Sequence, residues 1–306
     1  GHWQPHQPGQ PIGKDRRLLD PDKIRANMAE AIAFADSGSS APPESEKADF
    51  VIEGAFWPDG KPRITGGEYN SLLKSPCHTK GEMACVSCHL LHQDRTDPRP
   101  RKEWANDQLK TSALGDQACT QCHQADDYAV ASHTHHTAGS GGSSCQNCHM
   151  PYTSYGLLTA IRSHTVFSPD AAADQEAGRP NACNLGHLDK SLEWTADHLK
   201  TWYDIAKPVR ASEAKETSLA AVMALRGDAA QRALTAYALG WQPALQASPR
   251  EWIPPYLATL LKDPYSAVRF IAGRSLQRHA GYESFAYDFI GDTAELAERS
   301  TAALEI

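Results

Sequence analysis

The chain has 306 residues, of which 37 are acidic and 30 are Lys or Arg, so its formal net charge is -7. Its uninterrupted apolar stretches are only a few residues long, which excludes a membrane span in this chain. The acidic balance supplies no dense positive stripe, which argues against binding to a nucleic-acid backbone. The composition is typical of a globular protein.

The first 48 residues are predicted to be an N-terminal arm followed by a helix. The arm is rich in Pro, Gln and Gly, a composition typical of extended chain. After Asp20-Pro21, which suit a helix start, apolar residues recur at helical spacing up to Gly38. The arm, residues 1–20, is not expected to fold as a domain.

Residues 49–205 are predicted to form the second region. Residues 50–64 suggest a short hairpin that turns at Asp59-Gly60. From Cys77 onward the segment has few long apolar periodic stretches, so its core must come from something other than its own side chains. All eight Cys and nearly all of the 14 His precede residue 200, so the potential metal ligands are segregated.

Three copies of the pattern C-x-x-C-H stand in this region, and this pattern attaches c-type haem. The two thiols add to the two vinyl groups on one edge of the macrocycle, and the adjoining imidazole becomes the proximal iron ligand. Zinc sites and disulfides are the alternatives, but zinc sites do not require His after every second Cys. We therefore expect three haem c groups, each with two thioethers. In each motif the two cysteines are the expected thioether residues and the histidine is the expected proximal ligand: Cys85, Cys88 and His89; Cys119, Cys122 and His123; and Cys145, Cys148 and His149.

A fourth copy of the motif is incomplete. It keeps Cys183 and His187 but has Gly186 where the second Cys belongs. We predict a fourth haem here, held by one thioether from Cys183 and by axial ligation from His187. The alternative is that haem was lost and that Cys183 is a buried thiol or pairs with Cys77.

The sixth iron ligands are predicted to be histidines, because His is plentiful in the chain and Met is scarce. Bis-His ligation gives lower reduction potentials than His/Met ligation. Met150 directly follows a proximal His and is expected to be a packing residue. The first candidates are His92, His135 and His164, with His136 or His78 for a fourth iron.

Residues 206–306 are predicted to form a helical repeat domain. The segment 229–239 superposes on 266–276 at an offset of 37 residues, which suits a two-helix solenoid repeat of the HEAT type. In the second copy Arg269 is expected to face back toward Asp263. An unrelated small helical bundle is the alternative. The predicted fold is mainly α with much coil: a multihaem cytochrome c domain wrapped around packed haems, followed by this repeat domain.

Residues 50–205 resemble the multihaem cytochromes c that carry helical repeats and are related to ammonia-forming nitrite reductase and its paired-motif relatives. The matching stretches are Phe56–Gly60, Ser75–Cys77 with the first motif and His92, His135–Ser140 with the third motif and Pro151, Arg162–His164, and Pro180–Cys183. In that family the last element is a complete haem motif, so Gly186 is a departure. The resemblance implies further haem motifs upstream, in which case His2 or His6 would ligate a haem not encoded here.

The resemblance also implies a periplasmic or otherwise exported protein, where a Cys77–Cys183 disulfide is permitted. The favoured hypothesis is electron transfer, with the helical tail docking redox proteins, other multihaem cytochromes or copies of this chain. The alternative is a reductase of a small nitrogen or sulfur oxyanion, with an open iron at His187. The family's ammonia-forming enzymes use a Lys-ligated haem, and no C-x-x-C-K occurs here. A third hypothesis is a structural subunit. An electron carrier is thus favoured over an enzyme, and no catalytic residue is assigned.

Overall fold

The computed structural model describes residues 54–206 and 216–306. The arm and helix predicted for residues 1–48, including His2 and His6, lie outside the described residues. The described part is mainly helical, as predicted, with a single two-stranded sheet. No helix within these two ranges has the length and apolar character needed to cross a membrane.

Residues 54–150 form short helices joined by coil. Between Pro76 and Met150 only Trp104 and Ala113 are buried, so this stretch has almost no apolar core of its own. The helices are α1 (Glu68–Lys74), α2 (Pro76–Thr79), α3 (Cys85–Cys88), α4 (Arg101–Asp107), α5 (Gln117–Thr120), α6 (Ala125–Tyr128), α7 (Ala131–Thr134) and α8 (Cys145–His149), with 3-10 turns at Thr111–Ala113 and Gly141–Ser143.

The described part of the predicted hairpin is a tight turn at Asp59-Gly60. Gly60 has a left-handed backbone (φ 78°), and its N–H donates to the carbonyl of Trp57 at 2.8 Å. A single antiparallel bridge joins Phe56 to Pro62, so the turn does not extend into a strand pair. Trp57 is fully buried, and its indole N–H donates to the Thr153 carbonyl at 2.9 Å, which anchors the turn to the sheet.

The sheet is a hairpin of β1 (Tyr152–Gly156) and β2 (Thr159–Arg162), which pair antiparallel. Its two-residue turn is Leu157-Leu158, and both leucines have left-handed backbones, as a type I′ turn requires. Three helices follow: α9 (Ala171–Ala177), α10 (Ala182–Gly186) and α11 (Leu192–Tyr203). The sheet packs against the tail helix Ala229–Ala238.

The tail has an apolar core built from helices. They are α12 (Leu219–Arg226), α13 (Ala229–Ala238), α14 (Gln242–Ala247), α15 (Ile253–Leu260), α16 (Ser266–Leu276) and α17 (Thr293–Leu304). Ser218, Asp228 and Asp292 each accept a hydrogen bond from a backbone N–H of the first helical turn that follows, which explains where α12, α13 and α17 begin. The two segments that superpose in sequence form α13 and α16, and these helices pack against each other.

The tail's core continues into the region of the incomplete motif. Leu185 and Leu188 belong to the same apolar cluster as the tail helices. The Leu188 N–H donates to the Ser248 hydroxyl at 2.8 Å, and that hydroxyl donates to the Gly186 carbonyl at 3.1 Å. The segment that carries Cys183 and His187 is therefore packed directly onto the tail.

Arg269 faces back toward Asp263 as predicted, but the Asp263 carboxylate pairs with a different arginine. Arg269 Nη1 donates to the main-chain carbonyl of Asp263 at 2.7 Å. The carboxylate accepts from Arg232, through Nε at 2.5 Å and Nη2 at 3.1 Å. Arg232 aligns with Arg269 at the sequence offset of 37 residues, and its ion pair joins α13 to the turn that precedes α16.

We expect Asp263→Asn to lower the free energy of unfolding by about 2 kcal/mol, because a half-buried Arg232 loses its charged partner. Urea unfolding followed by far-UV circular dichroism measures the change. Glu298→Gln, at an exposed position on α17, is the matched control and is expected to be neutral. Equal stability of the two variants would show that the ion pair contributes nothing.

Candidate haem sites

Each C-x-x-C-H motif begins on one helical turn, which brings its two thiols to the same side of the chain. We name motif 1 (Cys85, Cys88, His89), motif 2 (Cys119, Cys122, His123), motif 3 (Cys145, Cys148, His149) and the variant motif (Cys183, His187). In motifs 1 and 2 and the variant motif, the His N–H donates to the carbonyl of the first Cys, at 2.9, 3.0 and 2.8 Å. The variant motif therefore keeps the local backbone of the complete ones.

The cysteines of successive motifs lie close together. Thiols interact electrostatically in three pairs: Cys88 with Cys122, Cys119 with Cys145, and Cys148 with Cys183. Burial raises the pKa of Cys119 and that of Cys183 to about 12, and the neighbouring motif's thiol adds to each shift. The four motifs thus follow one another in space in their order along the chain.

All eight cysteines are unpaired, so the Cys77–Cys183 disulfide is not formed. Its two partners have different neighbours: Cys77 interacts with Cys88 of motif 1, whereas Cys183 interacts with Cys148 of motif 3. Within the described ranges, no group of three or more His, Cys, Asp or Glu side chains converges to hold a metal ion directly, as a zinc site would require.

Three pairs of imidazole rings lie opposite each other with nearly parallel ring planes. The pairs are His89 with His164 (ring centroids 6.2 Å apart, interplanar angle 23°), His149 with His133 (6.1 Å, 7°) and His187 with His136 (5.8 Å, 25°). Each pair joins one motif histidine to a histidine elsewhere in the chain. In the third pair the two Nε2 atoms are 3.5 Å apart.

These separations fit a haem iron with two axial imidazoles. Two metal–nitrogen bonds of roughly 2 Å on opposite sides of one iron, with each ring centre roughly 1 Å beyond its nitrogen, separate the ring centres by roughly 6 Å. Direct ring stacking would bring the centroids closer than this. The donor set at three of the four motifs is therefore the one that bis-His haem ligation needs.

Backbone carbonyls orient four of the six paired rings. A carbonyl oxygen can only accept, so the ring nitrogen facing it, Nδ1, must donate, which leaves the Nε2 lone pair free for a metal. The contacts are His89 with the Asp107 carbonyl (2.9 Å), His149 with Phe167 (3.0 Å), His164 with Arg162 (3.1 Å) and His136 with Thr134 (2.6 Å).

Burial lowers the pKa of three of the six paired rings, which favours metal binding. Desolvation lowers the pKa of His149, His164 and His187, so that they are neutral near pH 7. A metal binds the neutral imidazole, because protonation removes the ligating lone pair.

The segment from His133 to His136 supplies opposing rings to two different motifs. Helix α7 ends at Thr134, and His135 has a left-handed backbone (φ 54°) that reverses the chain direction. His133 thereby faces motif 3 and His136 faces the variant motif. The predicted ligand His135 instead stacks on Trp202, with centroids 4.2 Å apart at 8°. Sequence spacing could not separate three histidines within four residues.

The remaining predicted ligands face no imidazole in the part of the chain that the structure describes. His92 is exposed. His78 is half-buried, and its Nδ1 donates to the Met83 carbonyl at 2.7 Å. His123 contacts the Tyr128 ring edge-on, with centroids 5.3 Å apart. His164 and His136 are thus the two sequence candidates that the structure brings opposite a motif histidine.

A buried ion-pair network supports the variant motif. Arg179, almost fully buried, contacts the carboxylates of Asp174 and of Asp59 in the tight turn. Burial raises the pKa of Asp174 to about 6, while Arg179 opposes the shift. Asn181 donates to Asp174 at 2.6 Å and accepts from the Cys183 N–H at 2.8 Å, which starts α10 at the motif.

No known protein-family model, curated protein or solved structure matches this chain.

With haem attached at motif 3, we expect His133→Ala, but not His135→Ala, to convert one low-spin ferric iron to high spin. The reason is that His133 faces His149 whereas His135 stacks on Trp202. Electron paramagnetic resonance of the oxidised protein distinguishes the two spin states. The reverse pattern, a high-spin signal only in His135→Ala, would contradict the pairing.

Proposed function

We propose that this chain is a multihaem c-type electron-transfer protein. It carries three haems on motifs 1 to 3, each through two thioethers, and a fourth on the variant motif through Cys183. The observation that carries the proposal is the set of three facing imidazole pairs, each of which includes one motif histidine. Bound haem supplies an iron that exchanges one electron between its ferric and ferrous states.

Paired imidazoles favour electron transfer over substrate chemistry. With a histidine on each side, an iron has no coordination position for a substrate. This holds for motif 1, motif 3 and the variant motif. An iron bound by His187 would therefore be a poor candidate for the open site of an oxyanion reductase. His136 occupies the position where such a substrate would bind.

Closely spaced motifs favour rapid transfer, because electron tunnelling slows steeply with distance. His133 and His136 are three residues apart, which limits the distance between their Cα atoms to roughly 11 Å. One short segment therefore constrains both motif 3 and the variant motif. The electrostatic influence of thiols in successive motifs on each other supports a continuous path from motif 1 to the variant motif.

The helical tail is proposed to be a HEAT-like repeat pair that docks redox proteins or further copies of this chain. Packing of α13 on α16 and the Arg232–Asp263 pair between equivalent positions support this assignment. Haem c attachment in bacteria occurs outside the cytoplasmic membrane, so we propose that the protein works in the periplasm or outside the cell.

We expect the denatured protein to have the mass of the polypeptide plus four haems, and Cys183→Ala to lose one of them. Gly186→Cys should keep four haems and shift the pyridine haemochrome band to shorter wavelength, because a second thioether saturates the remaining vinyl group. A Cβ at Gly186 meets no atom within 4 Å, so the new thiol has room.

Cys77→Ala is the matched control and should retain four haems, because Cys77 belongs to none of the motifs. A wild-type mass with three haems and a haemochrome count of three would refute the fourth site. The other three sites would stand.

We expect His164→Met to raise the reduction potential of one haem without changing the haem count, because a thioether replaces an imidazole opposite His89. Spectroelectrochemical titration measures the potentials. His92→Met, at an exposed position, should leave them unchanged. Unaltered potentials in His164→Met would count against the electron-transfer proposal. So would a wild type that does not take up and release electrons reversibly.

A further inference from the structure

Motif 2 differs from the other motifs in its exposure. The six paired histidines are all half-buried, whereas His123 is exposed. Every residue from 121 to 129 is exposed as well. This stretch includes Cys122, His123 and most of α6, so solvent reaches the motif along its C-terminal side.

The ring of His123 is also held differently. His89 and His149, the corresponding histidines of motifs 1 and 3, each donate Nδ1–H to a backbone carbonyl. Within the described residues, no carbonyl takes this role for His123. A carbonyl at Nδ1 increases the basicity of the ligating nitrogen, so motif 2 provides a weaker proximal donor.

The nearest ring to His123 does not occupy the position of a sixth ligand. Tyr128 lies edge-on to His123 at 5.3 Å and edge-on to His133 at 5.4 Å. A tyrosine on the far side of an iron would place its ring centre roughly 7 Å or more from that of the imidazole, because the phenolic oxygen lies between ring and metal. Tyr128 therefore flanks the imidazole of His123 and does not occupy the position of a sixth ligand.

We propose that motif 2 holds an iron with an exchangeable sixth position. A small neutral diatomic ligand, such as carbon monoxide or nitric oxide, binds there. This inference rests on the proposed attachment of haem at Cys119, Cys122 and His123. The iron that an added ligand can reach would thus be at motif 2 and not at the variant motif.

Local charge favours a neutral ligand over an oxyanion. Asp126 and Asp127 lie three and four residues past His123, and Asp116 lies close enough to Cys119 to act on it electrostatically. An oxyanion such as nitrite would approach against three acidic side chains, whereas carbon monoxide and nitric oxide would not.

The test is a carbon monoxide titration of the dithionite-reduced full chain, read as a difference spectrum and scaled to haem content. We expect one carbon monoxide per chain in the wild type and none in Cys119→Ala/Cys122→Ala, whose mass should be one haem lower. Cys85→Ala/Cys88→Ala, which removes the haem of motif 1 instead, should still bind one. Nitrite added to the oxidised wild type should leave the spectrum unchanged.

His136→Ala serves as the positive control, and it does not depend on the cysteine variants folding. Removal of the ring that faces His187 should raise the stoichiometry from one to two. A wild type that binds no carbon monoxide would overturn the proposal. If His2→Ala, His6→Ala, His78→Ala or His92→Ala then gained a site, that histidine would be the sixth ligand of motif 2.

Binding that persists in Cys119→Ala/Cys122→Ala would likewise overturn the proposal, because the open iron would lie elsewhere. These failures remain distinct from failure of the electron-transfer proposal. The latter depends on the haem count and on the low-spin signals of the three paired sites, which carbon monoxide should leave unchanged.

Discussion

In the proposed holoprotein, the roughly 6 Å separation of paired imidazoles is the constraint on which the first half of the molecule would depend. Between Pro76 and Met150 the polypeptide buries only two side chains, so apolar packing cannot define its path. The histidine pairs instead connect distant points of the chain, as His89 does with His164 and His136 with His187. In the proposed holoprotein the porphyrins would supply the apolar area that the side chains lack, and folding would depend on haem attachment.

The helical tail is stabilised by ordinary apolar packing, and it extends this support to the variant motif. Leu185 and Leu188 pack with the tail helices, and Ser248 bonds on both sides of His187. The haem region and the tail are therefore not independent in this structure, although sequence composition suggests a boundary between them near residue 206. Removal of the tail would expose Leu188 and release the backbone that carries His187.

Local features were predictable from the sequence, whereas partners across the chain were not. The motif spacing singled out four histidines, three of which lie opposite a second imidazole, and the internal sequence repeat coincides with the helices α13 and α16. The choice of His133 over His135 depends on a left-handed residue and on stacking against Trp202, which lies 67 residues further along the chain from His135. Likewise, the Asp263 carboxylate pairs with Arg232 of the preceding copy, a contact that a single repeat does not reveal.

In the proposed holoprotein, the replacement of the second cysteine by Gly186 would be tolerable because other interactions would hold the haem. A thioether restrains the haem within the protein, but so do two axial bonds, and His136 and His187 are both positioned to provide them. Trp194 contacts the His187 ring at 5.0 Å, and Asn181 fixes the start of the helix that carries Cys183. Motif 2 shows the opposite combination, with both cysteines present but no facing imidazole among the described residues. Covalent attachment and axial restraint thus compensate for each other along the proposed chain of haems.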